Sequence, residues 1–343
     1  MEALLITSLY KGAGSSAFCA GLVRLTDSES SLPFLCKPIR ITEKTTPDNI
    51  DPDVSFFSHL TNTTHPKSWP FSMGIAEARQ GLTSSMEKNV LSGFKSIDNT
   101  KKIIEGPPLV NSQGQSVPLS LDLADSLDAR IIVLIRYETE LNMKKCIASL
   151  KTLGDRLFGV VLNAVPLYRN HTADSSLIPM IEAEGIAVLG KIPESRCMLS
   201  VTVSQLVQHI KGTFLSGSES RDDLVSHVMI GGLFLGSGID HFARYDNKAV
   251  IVRGDRPDIQ MAALATPTKC LILTGGQHPI EYVTYEALEE DVPVAIVNED
   301  TLETTRRLDT LFRNASVHHP NKANCYAGLL SKAIDPLILK SVL

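Results

Sequence analysis

The stretch Leu4-Leu5-Ile6-Thr7-Ser8-Leu9-Tyr10-Lys11-Gly12-Ala13-Gly14-Ser15-Ser16 decides the fold. A short apolar run enters a turn rich in Gly and Ser, and helical spacing follows from about Ala17 to Leu25. A strand, a Gly-rich turn and a helix in that order aim backbone N–H groups at one point, which suits a phosphate. Reading outward, short apolar runs recur at Ala129–Ile135, Phe158–Leu162 and Ala187–Leu189, with helix-like segments between them. Runs of this length, apolar on both faces, predict a mostly parallel sheet with helices on both faces.

Against the phosphate-loop pattern G-x-x-x-x-G-K-[ST], Gly14 and Ser16 match, but Leu9 stands at the first glycine and Ser15 at the lysine. The cation that bridges the β- and γ-phosphates is therefore missing. Three readings stay open. Lys11 swings back over the loop, as a displaced lysine does in the MinD-like class, although it lies three positions before Gly14 rather than four. Alternatively, Lys11, Gly12, Gly14, Ser15 and Ser16 hold a nucleotide or anion at low affinity without hydrolysis. In the third reading, the turn only closes strand onto helix.

Composition bounds the rest. The chain has 343 residues, 43% of them hydrophobic and 21% charged, with a mean hydropathy of +0.05, enough for two cores. It lacks an apolar run long enough for a membrane span, and its first residues lack the pattern of a signal peptide, so a cytoplasmic protein is expected. The six cysteines are scattered without a C-x-x-C pair, which predicts buried thiols rather than a zinc site. Cut near residue 212, the chain carries 21 Lys+Arg against 21 Asp+Glu before the cut and 12 against 17 after it. Neither part has the basic face that nucleic acid requires.

Residues 1–212 thus read as a first domain and the Gly/Ser-rich segment 213–225 as a linker. A smaller α/β domain follows over 226–319, with strand-like runs at Val228–Ile230, Ala249–Val252, Lys269–Leu273 and Pro293–Val297. Helical patterns occupy Asp258–Ala265 and Thr301–Leu311. The tail 320–343 has apolar residues near helical spacing (Leu329, Leu330, Ala333, Leu337, Leu339), suited to docking on a partner surface or on its own domain. His318-His319 lacks metal-ligand neighbours at suitable spacing and reads as a solvated turn.

Five segments carry a resemblance: Gly14-Ser15-Ser16, Cys36-Lys37-Pro38-Ile39, Ile103-Ile104-Glu105-Gly106-Pro107, Val160-Val161-Leu162-Asn163 and Leu189-Gly190-Lys191-Ile192-Pro193. In order and approximate spacing they resemble dethiobiotin synthetase over about residues 2–212. The stretch looks closer still to the dethiobiotin-synthetase-like N-terminal domain of phosphate acetyltransferase, whose loop also tends to lack the lysine. The resemblance implies a P-loop NTPase-like fold, with Lys37 at the substrate-contacting lysine, Ser16 and Glu105 at Mg²⁺, and Asn163 with Pro193 where adenine is read. Pro107-Pro108 departs from the family's Gly-rich turn, and proline cannot donate an N–H there.

In the second domain Asp255-Arg256 and, about twenty residues on, Thr274-Gly275-Gly276 follow strand ends and resemble the DRTGG domain family. They are the candidate effector or interface residues. Asp255 is expected to cap the next helix, and Arg256 to pair with it or to read an anion or a partner. Gly275 and Gly276 allow positive φ.

The domain order resembles the N-terminal regulatory half of long bacterial phosphate acetyltransferases without the acetyltransferase domain. That implies a non-catalytic regulatory or ligand-sensing protein, homo-oligomeric, with a small-molecule effector and a metabolic enzyme partner such as an acetyltransferase. Two alternatives remain. One is an ATP-dependent ligase related to dethiobiotin or cobyrinic acid a,c-diamide synthase, using Lys11, Lys37 and Glu105. The other is a structural assembly subunit. Mg and ATP, or another nucleotide, are the implied cofactors.

Overall fold

The computed structural model describes residues 2–26, 32–42, 51–64, 69–95, 97, 101–217, 219–232, 238–312, 315–335 and 337–338. Leu339 of the tail lies outside them. The chain divides into two compact units, residues 1–195 with 317–343, and residues 196–316.

In the first unit β1 (Glu2–Ser8) enters the loop and α1 (Ser15–Leu25). Then come β2 (Phe34–Cys36), β3 (Ile39–Thr42), α2 (Pro52–Thr61), β4 (Phe71–Gly74), α3 (Ile75–Ala78), α4 (Ser84–Lys95) and β5 (Lys101–Glu105). The unit continues through α5 (Leu119–Leu127), β6 (Arg130–Arg136), α6 (Met143–Lys151), β7 (Leu157–Val165), the short α7 (Asn170–Thr172) and α8 (Ile178–Glu182), and β8 (Val188–Pro193). The main sheet runs β2-β5-β1-β6-β7-β8, every pair parallel. Strand residues alternate between faces. Leu5, Ile104, Val133 and Leu162 join one core cluster with Leu123 of α5 and Leu150 of α6. Leu4, Ile6, Ile103 and Leu134 point the other way and are equally buried, and α1 packs on β1 and β5. Both faces are covered, as the apolar runs predict.

The second unit holds α9 (Arg196–Leu199), β9 (Val201–Thr202), α10 (Val203–His209), β10 (Thr213–Phe214), β11 (Leu224–Val225), β12 (His227–Gly231) and α11 (Gly238–Phe242). It ends with β13 (Lys248–Arg253), α12 (Pro257–Leu264), β14 (Thr268–Thr274), α13 (Glu281–Glu289), β15 (Val294–Ile296) and α14 (Thr301–Leu308). Its sheet is ordered β10-β15-β14-β13-β12, parallel except for β10.

Two expected boundaries are corrected. The first unit's leading segment ends at residue 195 rather than 212, because Val203, Leu206 and Val207 of α10 bury into the second unit's core. Segment 213–225 is not a linker: β10 pairs with β15, β11 pairs with β9, and the Arg221 guanidinium lies 4.2 Å over the Phe214 ring.

The tail is the third departure. Residues 317–335 belong to the first unit, where α15 (Pro320–Ala333) packs along α1. Ala323, Tyr326, Ala327 and Leu330 form the buried stripe of α15. A Cβ on Gly21 would come within 2.9 Å of Leu330 and Tyr326, so only glycine lets the two helices approach this closely. Residues 196–316 therefore interrupt the first unit's sequence between β8 and α15.

Candidate functional site

The loop between β1 and α1 takes the predicted shape. Gly12 and Gly14 have φ of 84° and 98°, and Gly14 sits at the N-cap of α1 without a side-chain cap. The first-turn N–H groups of α1 thus have no side-chain acceptor at the cap position. The lysine position is occupied by Ser15. Its Oγ donates to Glu105 Oε1 at 2.7 Å, and Ser16 Oγ donates to the same oxygen at 2.8 Å. Glu105 closes β5 and is 4% exposed, and its Oε2 has no hydrogen-bond partner among the described residues. Burial pushes its carboxyl above the usual range, with Asp53 adding to the effect against Lys37 and the two serines.

Lys37, just beyond β2, is committed to carboxylates. It pairs with Asp53 and, at 3.5 Å, with Asp51. Burial alone would lower its pKa, but Glu105, Asp53 and Asp51 outweigh burial and hold the ammonium above its ordinary range. Asp51 caps α2, accepting from the backbone N of Asp53 at 2.9 Å and of Val54 at 3.4 Å. Asp53 also takes His318 Nε2 at 2.7 Å. Burial disfavours its charge, yet the His318 bond and Lys37 prevail and hold the carboxyl well below the usual range. His318 is therefore not a solvated turn: it lies against the Phe56 ring with centroids 5.6 Å apart, while His319 caps α15.

Asn163 is placed next to the loop. A register irregularity between Leu162 and Val165, with Ala164 at φ 54°, breaks the alternation of β7 next to Asn163. Asn163 Nδ2 donates to the Ala13 carbonyl at 2.7 Å, and Tyr326 Oη donates to Asn163 Oδ1 at 2.9 Å. A Cβ on Gly14 would lie 2.4 Å from Asn163 Nδ2. Pro193 ends β8, half-buried and in register with Val165. Lys11 is exposed and makes no hydrogen bond or ion pair to another described residue. Glu105, Ser15 and Ser16 are therefore brought together, Lys37 is bound to the adjacent aspartates, and Lys11 stays apart.

In the second unit an open cleft of about 370 Å³ lies at the carboxyl ends of β13 and β14. Asp255, Thr274 and Gly275 line it, joined by Arg253, Gln277 and Thr301. Thr274 Oγ1 meets Thr301 Oγ1 at 2.8 Å. Asp255 does not cap α12: it pairs bidentately with Arg253, and Arg256 pairs with Asp258 at 2.7 Å. The fork two residues apart wins because the N-cap position itself falls on Arg256. Gly275 and Gly276 take positive φ, 86° and 67°, and their N–H groups bond Glu299 O and Val297 O. They shape the cleft without donating to it.

Sequence reasoning missed Asp51, Asp53, His318, Tyr326 and Arg253. Asp51-Pro52 carries a helix-start signal that places the two aspartates, whereas Tyr326 and His318 reach the site only through tertiary packing.

With this geometry in hand, the chain belongs to the AAA domain family, which matches residues 2–198, more than half of it. The DRTGG domain family matches residues 205–311, so the expected order of two domains is the order found. Phosphate acetyltransferase of Acinetobacter baylyi is 21% identical over 99% of this chain and 52% of its own length. That of Pseudomonas putida is 21% identical over 98% and 51%, and that of Synechocystis sp. 26% identical over 43% and 22%. The chain spans about half or less of these relatives, consistent with likeness to one half of such a protein. Among solved structures, MinD of Aquifex aeolicus is 13% identical with a TM-score of 0.39, covering 58% of this chain and 84% of that one. The CBS and DRTGG domains of Clostridium perfringens pyrophosphatase are 18% identical with a TM-score of 0.29, covering 34% and 48%. No helix among the described residues is long and apolar enough to cross a membrane.

Proposed function

We propose that this chain is a non-catalytic regulatory protein, related to the regulatory part of phosphate acetyltransferases, which senses a small molecule in its DRTGG domain. The observation that carries this reading is the bond from Ser15 Oγ to the buried Glu105 carboxylate. Where a phosphate loop needs a lysine, this one has a hydroxyl tied to an anion. The other cation of the site, Lys37, is held by Asp53 and Asp51. Positioned charge is the main catalytic resource in phosphoryl transfer, and here it has the wrong sign.

The cleft beside Arg253, Asp255 and Thr274 is the effector site in this reading, and a metabolic enzyme such as an acetyltransferase is the target. Thermal shift against Mg-ATP, Mg-ADP, acetyl phosphate, NADH, pyruvate and phosphoenolpyruvate tests it. A ligand at a hundred times its Kd stabilises by about 2.7 kcal/mol. Stabilisation lost in Arg253→Ala, together with no ATP turnover, is the expected result. ATP turnover abolished by Glu105→Gln would overturn the proposal.

One observation favours a second reading. The orphaned Oε2 of Glu105 beside Ser16 Oγ is a hard-oxygen pair suited to Mg²⁺, which commonly binds through one or two carboxylates plus phosphates. In that reading Ser16 and Glu105 hold the metal, which supplies the positive charge the loop lacks, and the chain is an ATP-dependent ligase.

A further inference from the structure

Helix α13 presents an uncovered aromatic face on the most acidic stretch of the chain. Between Lys269 and Arg306 there are eight Asp or Glu residues and no Lys or Arg. Within that stretch Tyr282 and Tyr285 are each 61% exposed and Leu288 is 56% exposed. At about 100° per residue, Tyr285 lies opposite the midpoint of Val283 and Ala287, the two residues that bury α13 in its own unit. Tyr282, Tyr285 and Leu288 therefore form one outward stripe. Glu281 and Glu289 are exposed alongside it.

Exposed tyrosines spaced one turn apart are expensive to leave in water and are the residue type that anchors protein interfaces. The charge around them selects the occupant. A second copy of this face would bring the same acids against their equals, with no cation within the stretch to offset them. Nucleic acid and anionic lipid are repelled for the same reason.

We infer that the α13 face docks a basic amphipathic helix of a partner protein, its apolar side on Tyr282, Tyr285 and Leu288 and its Lys/Arg flanks against the neighbouring glutamates. This gives the target of the proposed regulator a chemistry. Its test uses neither nucleotide nor effector, so it holds or fails separately from that reading.

The test is fluorescence anisotropy of the full chain with a labelled helical peptide of about 18 residues, Leu on one face and Lys on the other. An acidic Leu/Glu peptide of the same pattern serves as control. Saturable binding of the basic peptide alone is expected. Tyr282→Ala with Tyr285→Ala should weaken it about tenfold or more, as anchor truncations do. Glu281→Lys with Glu289→Lys should weaken it more at low salt than at high salt. All four residues are exposed, and thermal melts of both variants check that they remain folded. Three results would overturn the inference: no binding, binding indifferent to the tyrosines, or a wild-type oligomer that the tyrosine variant converts to monomer.

Discussion

Tyr326→Phe removes one oxygen and tests whether the phosphate loop is held from the distant end of the chain. The hydroxyl donates at 2.9 Å to Asn163 Oδ1, and both residues are buried, at 3% and 6% exposure. Burial pushes the phenol pKa up, so the group is a proton donor throughout the accessible pH range. Deleting the donor strands a buried amide oxygen, giving an expected loss of about 1–3 kcal/mol. For a unit of this size that is a fall in Tm of about 2–12 °C, at about 2–4 °C per kcal/mol. The ring still meets Phe18 edge-on at a centroid distance of 6.4 Å, so the loss is polar and not a cavity. Urea unfolding supplies the free energy. Hydrogen exchange at the amides of residues 12–17 should accelerate, because Asn163 then grips the Ala13 carbonyl less firmly. A loss under about 0.5 kcal/mol, or a loss with unchanged exchange in the loop, would refute the reasoning.

Gly14→Ala forces a Cβ to 2.4 Å from Asn163 Nδ2 at a φ of 98°. It should cost about 2–4 kcal/mol in urea unfolding, with less than additive loss when combined with Asn163→Ala. Asp53→Asn should destabilise by about 1–3 kcal/mol at pH 7, since hydrogen bonds to a charged group are lost to His318 and Lys37. Because the folded carboxyl pKa is depressed, this stabilisation is present above the ordinary carboxyl range and fades as pH falls below about 4. The wild-type and variant stability curves should therefore converge in acid. Ala164→Gly relieves a left-handed alanine at φ 54° and should raise the urea midpoint by about 0.5–1 kcal/mol equivalent, whereas a decrease would mean the bulge needs the methyl.

What was legible follows from range. The strand runs at Leu4–Ile6, Ile131–Ile135 and Val160–Leu162 announce a buried parallel sheet because every residue in them must be apolar, whichever face it takes. The loop shape is legible because Gly12 and Gly14 act within a few residues of themselves. The charge state of the site is not local in this way. Glu105 lies 90 residues from Ser15, Tyr326 lies 163 from Asn163, and His318 lies 265 from Asp53. No periodicity encodes such pairs. The helical character of the tail is legible, but of the apolar residues that signal it only Leu330 joins the buried stripe of α15 while Leu337 is 73% exposed, and the surface the helix covers depends on Gly21, whose meaning emerges only once Leu330 is beside it. The Gly/Ser segment misleads for the opposite reason: its composition suits a linker, while Phe214 and Val225 tie it into a sheet. Arg253 and Arg256 look alike in the sequence, and only the end of β13 sets Arg253, not Arg256, on the wall of the cleft.

The shape of the loop is not by itself a sign that it binds phosphate, because Asn163 and Tyr326 hold it whether or not a ligand is present. Charge discriminates. Two unit charges about 4 Å apart near a protein surface interact by about 4 kcal/mol. With Ser15 at the lysine position and bonded to the Glu105 carboxylate, a gain of that order is absent and a free polyphosphate meets a nearby negative charge instead. Only neutralising Glu105 removes it, and the structure offers two routes, a cation at its orphaned Oε2 or a proton. Its pKa is raised by burial, so a fall in pH toward the upper carboxyl range protonates it sooner than an ordinary glutamate. Binding of ATP, measured by calorimetry, should accordingly be absent in EDTA near pH 8, and should grow with Mg²⁺ or as the pH is lowered. Glu105→Gln, which keeps the shape and an acceptor for Ser15 and Ser16, should give metal-free binding that is nearly independent of pH. Equal metal-free affinity in the wild type and in Glu105→Gln would show that the carboxylate does not govern the loop.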